Sequence, residues 1–96
     1  MKLQKIRQQI DNLDYKIHDL LNERAKLALQ VGKIKVEKDG TNVEFHRPER
    51  EHEILEEISK YNVGPLADEA VANIFKSIMT ECLRLQIATF STGEKK

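Results

Sequence analysis

The chain has 96 residues, the length of one domain, and its sixteen Lys and Arg balance sixteen Asp and Glu. That balance removes any global electrostatic basis for a nucleic acid or an anionic membrane as partner. No apolar run approaches the roughly 20 residues of a membrane span, the N-terminal MKLQKIRQQ is polar and unlike a signal peptide, and the single cysteine, Cys82, excludes an intramolecular disulfide and any Cys/His metal spacing, so the expected location is the cytoplasm.

No segment shows sustained period-two alternation of β-branched residues, so the chain reads as all-α. The first helix is expected from about Lys2 to about Lys38. Ile6, Ile10, Leu13, Ile17, Leu20, Leu27, Val31 and Ile34 recur in steps of four and three, with one step left open at Arg24. A helix of this length is a rod of roughly 50 Å, far longer than a domain of about 100 residues can wrap with its own core. Two chains covering each other's seams, an intertwined homodimeric bundle, resolve the mismatch; a break at Gly32 is the alternative.

KDGTN, Lys38 to Asn42, reads as a turn. The second helix opens at Pro48, where the missing N–H costs nothing, carries Glu49 and Glu51 in its first turn, and shows Ile54, Leu55 and Ile58 on one face before stopping near Tyr61. NVGP breaks the chain. The third helix is expected from Pro65 or Leu66 to about Phe90, with Val71, Ile74, Phe75, Ile78, Cys82 and Leu85 as its apolar face. Residues 1–90 form the domain, and STGEKK, 91–96, reads as a flexible tail.

Each helix also places a polar group at or near its apolar stripe. Arg24 occupies the open step between Leu20 and Leu27; Lys35 follows Val31 by four, Glu51 precedes Ile54 and Leu55 by three and four, and Gln86 follows Cys82 by four. Taken singly, each has an ordinary explanation: an ion pair with a glutamate of another helix or a snorkelling side chain for Arg24, and helix-end positions for the others. A buried guanidinium without an anion costs several kcal/mol, on the order expected for any unpaired buried ion. Together the four residues describe one polar pocket in a helical bundle, with two cations, an amide donor and a carboxylate. Such a pocket suits a small polyanion that also carries a hydroxyl.

Other candidates point elsewhere. His18, His46 and His52 lack helical pairing with one another and make a poor metal set. Cys82 reads as a small core residue, and Asp11, Asp14 and Asp19 as a solvated face. No nucleophile–base–orienter set is present, so any chemistry here relies on positioning and charge stabilisation.

IRQQIDNLDYKIHDLLNERAKLALQVGKIK resembles the first helix of the all-helical (AroQ-class) chorismate mutases, FHRPEREHEIL the start of their second helix, and IFKSIMTECLRLQ their third. The segments appear in the family's order and separation and cover nearly the whole chain. The combination of an Arg before IDxLD, then ExR, VGxxK, RE and a late helical Gln is specific, whereas xPxRE alone is weak. Within the family the chain resembles the mutase domain of bifunctional chorismate mutase–prephenate dehydratases.

The resemblance implies rearrangement of chorismate, a dianion with an ether oxygen and a ring hydroxyl, to prephenate in aromatic amino acid biosynthesis, without a cofactor or metal. It implies that Arg24 grips one carboxylate and that Arg7 reaches the other from the partner chain. Lys35 would bond the ether oxygen and a carboxylate, Gln86 would donate to the ether oxygen, Glu51 would take the ring hydroxyl, and Arg50 would support the site electrostatically. Two positions depart from the pattern of some members. Arg47 stands where they carry Asp, and Cys82 where they carry Ser, a better hydrogen-bond donor than a thiol. Two other readings compete: an isochorismate pyruvate-lyase on the same scaffold, and a non-catalytic dimerisation module whose seam polar residues set register.

Overall fold

Three helices carry the chain: α1 (Lys2–Asp39), α2 (Pro48–Tyr61) and α3 (Asp68–Phe90), with a 3-10 turn over Gly40–Asn42. The computed structural model describes residues 1–90, so the expected tail lies outside the described residues. Among the described residues there is no strand, in line with the all-α expectation, and no helix is long and apolar enough to cross a membrane.

α1 runs unbroken through Gly32 for 38 residues. It sets the 57 Å length of the molecule, whose radius of gyration of 17.1 Å exceeds the roughly 13 Å of a compact domain this size. The helix stops at Gly40, whose φ of 61° lies where a side chain would be strained, and whose N–H returns to the Val36 carbonyl. α2 starts at Pro48 as expected. The proline keeps Arg47 out of the helical region, at φ −127° and ψ 87°, and Glu49 and Glu51 complement the dipole in the first turn.

The start of α3 differs from expectation, falling at Asp68 rather than at Pro65 or Leu66. Asn62 explains the delay. Its Nδ2 donates to the Leu66 carbonyl at 2.9 Å and to Asp68 Oδ1 at 2.7 Å, while its Oδ1 accepts the Gly64 N–H at 3.2 Å. These bonds hold residues 62–68 in a loop, and helical bonding begins only when the Val71 N–H reaches the Ala67 carbonyl at 3.1 Å.

α3 is the middle element, packing on α1 along one side and on α2 along the other. A middle helix needs two covered faces, which the single apolar face expected for it does not supply. Its most buried side chains are Met79 and Gln86, while Ile74, assigned to the apolar face, is half exposed. On α1, Ala25, Ala28, Leu29, Gly32 and Val36 form a strip that is buried or half-buried, and within it Ala28 and Gly32 lie against Gln86 and Phe90 of α3. Gly32 permits the closest approach: a Cβ there would lie 2.6 Å from the Phe90 ring. Phe90 also stacks on Phe45 of the α1–α2 connection, with ring centroids 5.9 Å apart.

The stripe from Ile6 to Ile34 is a different face, and it stays open. Ile10, Leu20 and Ile34 expose 50%, 62% and 63% of their surface. Burying an aliphatic side chain is worth about 1.5–3 kcal/mol, so a single chain leaves most of the stabilisation available from this stripe unused.

Candidate active site

An open groove of about 330 Å³ lies where the C-terminal half of α1, the start of α2 and the C-terminal half of α3 converge. Arg24, Leu27, Val31 and Lys35 face it from α1, Arg50, Glu51 and Ile54 from α2, and Met79, Cys82, Leu83 and Gln86 from α3. The helical period explains the α1 set. These residues border the strip that packs on α3, so side chains one step off the interface line the groove.

Arg24 is half-buried, and its Nη1 donates to Cys82 Sγ at 3.3 Å. No carboxylate of the described residues pairs with it, so the ion pair that would make it purely structural is not formed. A thiol is a weak acceptor, which leaves most of the guanidinium's donor fork uncommitted. Lys35 likewise meets no carboxylate of the described residues. Its Nζ donates to the Glu44 carbonyl at 3.3 Å, which ties the α1–α2 connection to α1.

Gln86 is 8% exposed, one of the two most buried side chains of the described residues. Its Nε2 donates to the Ala28 carbonyl at 2.7 Å. That bond consumes one amide hydrogen and orients the group, leaving the second hydrogen for the groove that Gln86 lines. Glu51 lies with Oε2 3.5 Å from His46 Nε2. Arg50 reaches Glu53 Oε1 at 3.3 Å.

Of the residues singled out in the sequence, Arg24, Lys35, Arg50, Glu51, Cys82 and Gln86 thus line one groove. Arg7 does not. It lies on the exposed N-terminal part of α1, about 25 Å along the helix from Arg24 by the α-helical rise. Periodicity missed Phe45 and Arg47, because the connection that carries them has no period, and the stripes expected on α1 and α3 left out the lining residues Ala28, Met79 and Leu83. The available signal was Pro48: it starts α2 directly after Arg47 and so places the connection beside Arg50 and Glu51.

The histidines at 18 and 52 stand apart, His18 beside Asp19 and His52 beside Glu56 on exposed helix faces. Among the described residues no group of three His, Cys, Asp or Glu is placed to hold a metal ion. The groove therefore offers two cations without carboxylate partners, an oriented amide donor and a carboxylate acceptor on largely apolar walls. This arrangement can hold an anionic substrate in one conformation and stabilise charge on an oxygen between Lys35 and Gln86.

Known proteins resemble this chain over most of its length. A family model described as chorismate mutase type II matches residues 6–87. The bifunctional chorismate mutase/prephenate dehydratase of Pseudomonas aeruginosa is 41% identical over 87 residues, which cover 88% of this chain and 24% of that protein. The protein of the same description from Neisseria gonorrhoeae is 45% identical over 80 residues, covering 83% and 21%. The chain thus spans about a quarter of the length of the curated relatives it matches. Among solved structures, chorismate mutase (form II) from Thermus thermophilus is similar with a TM-score of 0.84 at 30% identity, over 90% of this chain and 94% of that one.

Proposed function

The chain belongs to the chorismate mutase type II family, and on that premise we propose that residues 1–90 form a catalytic domain that rearranges chorismate to prephenate in the groove between its three helices. The observation that carries this reading is the convergence of Arg24 and Lys35, neither paired with a carboxylate among the described residues, on the same groove as the buried amide of Gln86.

The reaction is intramolecular. One C–O bond breaks, one C–C bond forms, and no proton is transferred, so the protein supplies geometry and electrostatics rather than a nucleophile. Arg24 grips one carboxylate through its free donors. Lys35 leaves the Glu44 carbonyl, or shares its remaining hydrogens, to bond the ether oxygen and a carboxylate together. The second hydrogen of the Gln86 amide donates to the same ether oxygen. Charge grows on that oxygen as its bond to carbon lengthens, and donors already held in place stabilise it without reorganising. Glu51 accepts the ring hydroxyl, Arg50 adds positive potential, and Cys82 contributes a weak contact to a carboxylate.

The active form is a homodimer in which the stripe from Ile6 to Ile34 is covered by the partner's α1. That pairing brings Arg7 of one chain to the groove of the other, where it takes the second carboxylate. The substrate is a soluble metabolite and the proposed location is the cytoplasm.

The test is loss of chorismate followed by ultraviolet absorbance, with the product identified. Prephenate formation that is abolished in Arg24→Ala supports the reading. Turnover of isochorismate but not chorismate would replace it with the lyase, and turnover of neither would leave a dimerisation module.

A further inference from the structure

The groove carries more positive charge than the roles above use. Arg24, Lys35, Arg47 and Arg50 line it against one carboxylate, Glu51. Arg50 is engaged by Glu53 at 3.3 Å. Arg47 is held less firmly: its Nε lies 3.8 Å from Glu49 Oε1, and the two side chains are 55% and 73% exposed. An exposed pair at that distance contributes little, so exchanging Glu49 for another carboxylate costs little.

The backbone of Arg47, by contrast, is fixed from both sides. Pro48 follows it and starts α2. Phe45, two residues earlier, is stacked on Phe90, and the Glu44 carbonyl accepts from Lys35. The result is a weakly paired guanidinium on a rigidly placed stem at the edge of an anion-binding groove.

We propose that Arg47 is a further substrate-binding residue of this chain, a cation at the groove's edge that draws the dianion in and engages one of its carboxylates. The inference rests on the mutase reading. Its signature differs from that of Arg24 or Gln86: a rim cation acts on capture and on salt dependence, whereas donors at the breaking bond act on kcat.

The experiment is steady-state kinetics on chorismate at several ionic strengths, for the full chain and for Arg47→Gln, Arg47→Lys and Lys60→Gln. Lys60 is exposed at the far end of α2 and does not line the groove, so its variant controls for the loss of one charge. Arg47→Gln is expected to raise KM roughly three- to tenfold with kcat within about twofold, and to flatten the decline of kcat/KM with salt. Arg47→Lys keeps the salt dependence, and Lys60→Gln matches the parent. A KM for Arg47→Gln equal to that of the parent, or one matched by Lys60→Gln, overturns the inference while leaving the mutase reading intact. A parent chain that does not turn over chorismate overturns both.

Discussion

The Gln86 amide donates to the Ala28 carbonyl at 2.7 Å across the α1–α3 interface, joining the groove that Gln86 lines to the packing of the two helices. Gln86→Glu therefore has two consequences. A neutral amide donates at any pH, whereas a carboxyl donates only when protonated, so activity is expected to fall at neutral pH and recover toward acid. A carboxylate buried against a carbonyl also has a raised pKa. Its penalty is absent below the unfolded carboxyl value of about 4.3, then grows until the pH passes the folded value. The melting temperature of the variant should thus fall relative to the parent as pH rises. An unchanged pH–rate profile would remove Gln86 from the ether oxygen.

Arg24 makes no ion pair among the described residues, so removing it leaves no carboxylate stranded. Arg24→Ala is expected to lose on the order of 10²-fold in kcat/KM while thermal stability changes little. Arg24→Leu, which restores the aliphatic step between Leu20 and Leu27, is expected to match or exceed the parent's melting temperature. A loss of activity under about threefold in Arg24→Ala, small beside the effect of removing one preorganised donor, would make the arginine a structural residue.

Gly32 and Phe90 act as a pair. A Cβ on Gly32 would lie 2.6 Å from the ring, closer than the ring can tolerate without moving. Gly32→Ala gains about 0.5–1 kcal/mol of helix propensity but is expected to lose more, about 1–3 kcal/mol, by displacing Phe90 from Phe45 and α1. Denaturant midpoints measure the sum. In the double variant Gly32→Ala/Phe90→Ala the clash has no partner, so the two effects should be less than additive. Strict additivity would show that the ring yields freely.

The proposed homodimer makes a complementation experiment possible. Arg7→Ala and Arg24→Ala homodimers should each be nearly inactive. In a mixed dimer one groove combines an intact Arg24 with an intact partner Arg7, and the other has lost both. Random exchange of equal amounts should restore about a quarter of the parent's activity, one intact site in half of the dimers. No recovery after unfolding and refolding the mixture would show that Arg7 does not act in the partner's groove. A monomer at micromolar concentration in sedimentation would remove the dimer altogether.

Much of this molecule follows from local rules. The 3.6-residue period, Pro48 and Gly40 set the helices to within a residue or two, because each acts through the backbone within one turn. The onset of α3 was misplaced because Asn62 bonds forward across six residues to Asp68, a contact that no local propensity encodes. Arg24, Lys35, Glu51 and Gln86 were legible as polar residues in apolar positions. Arg47 was not, because a charge in a loop breaks no pattern.

What the sequence determined by itself is the number and order of the helices, the open seam along α1 and the set of chemical groups available for a site. Only the tertiary structure decided which groups meet. Packing α3 against both α1 and α2 brought Gln86 to Ala28 and Cys82 to Arg24, and left Arg7 far along the rod. The physical reason is that periodicity specifies the direction of a side chain around its own helix axis, while the partner it reaches depends on how the helices are placed against one another.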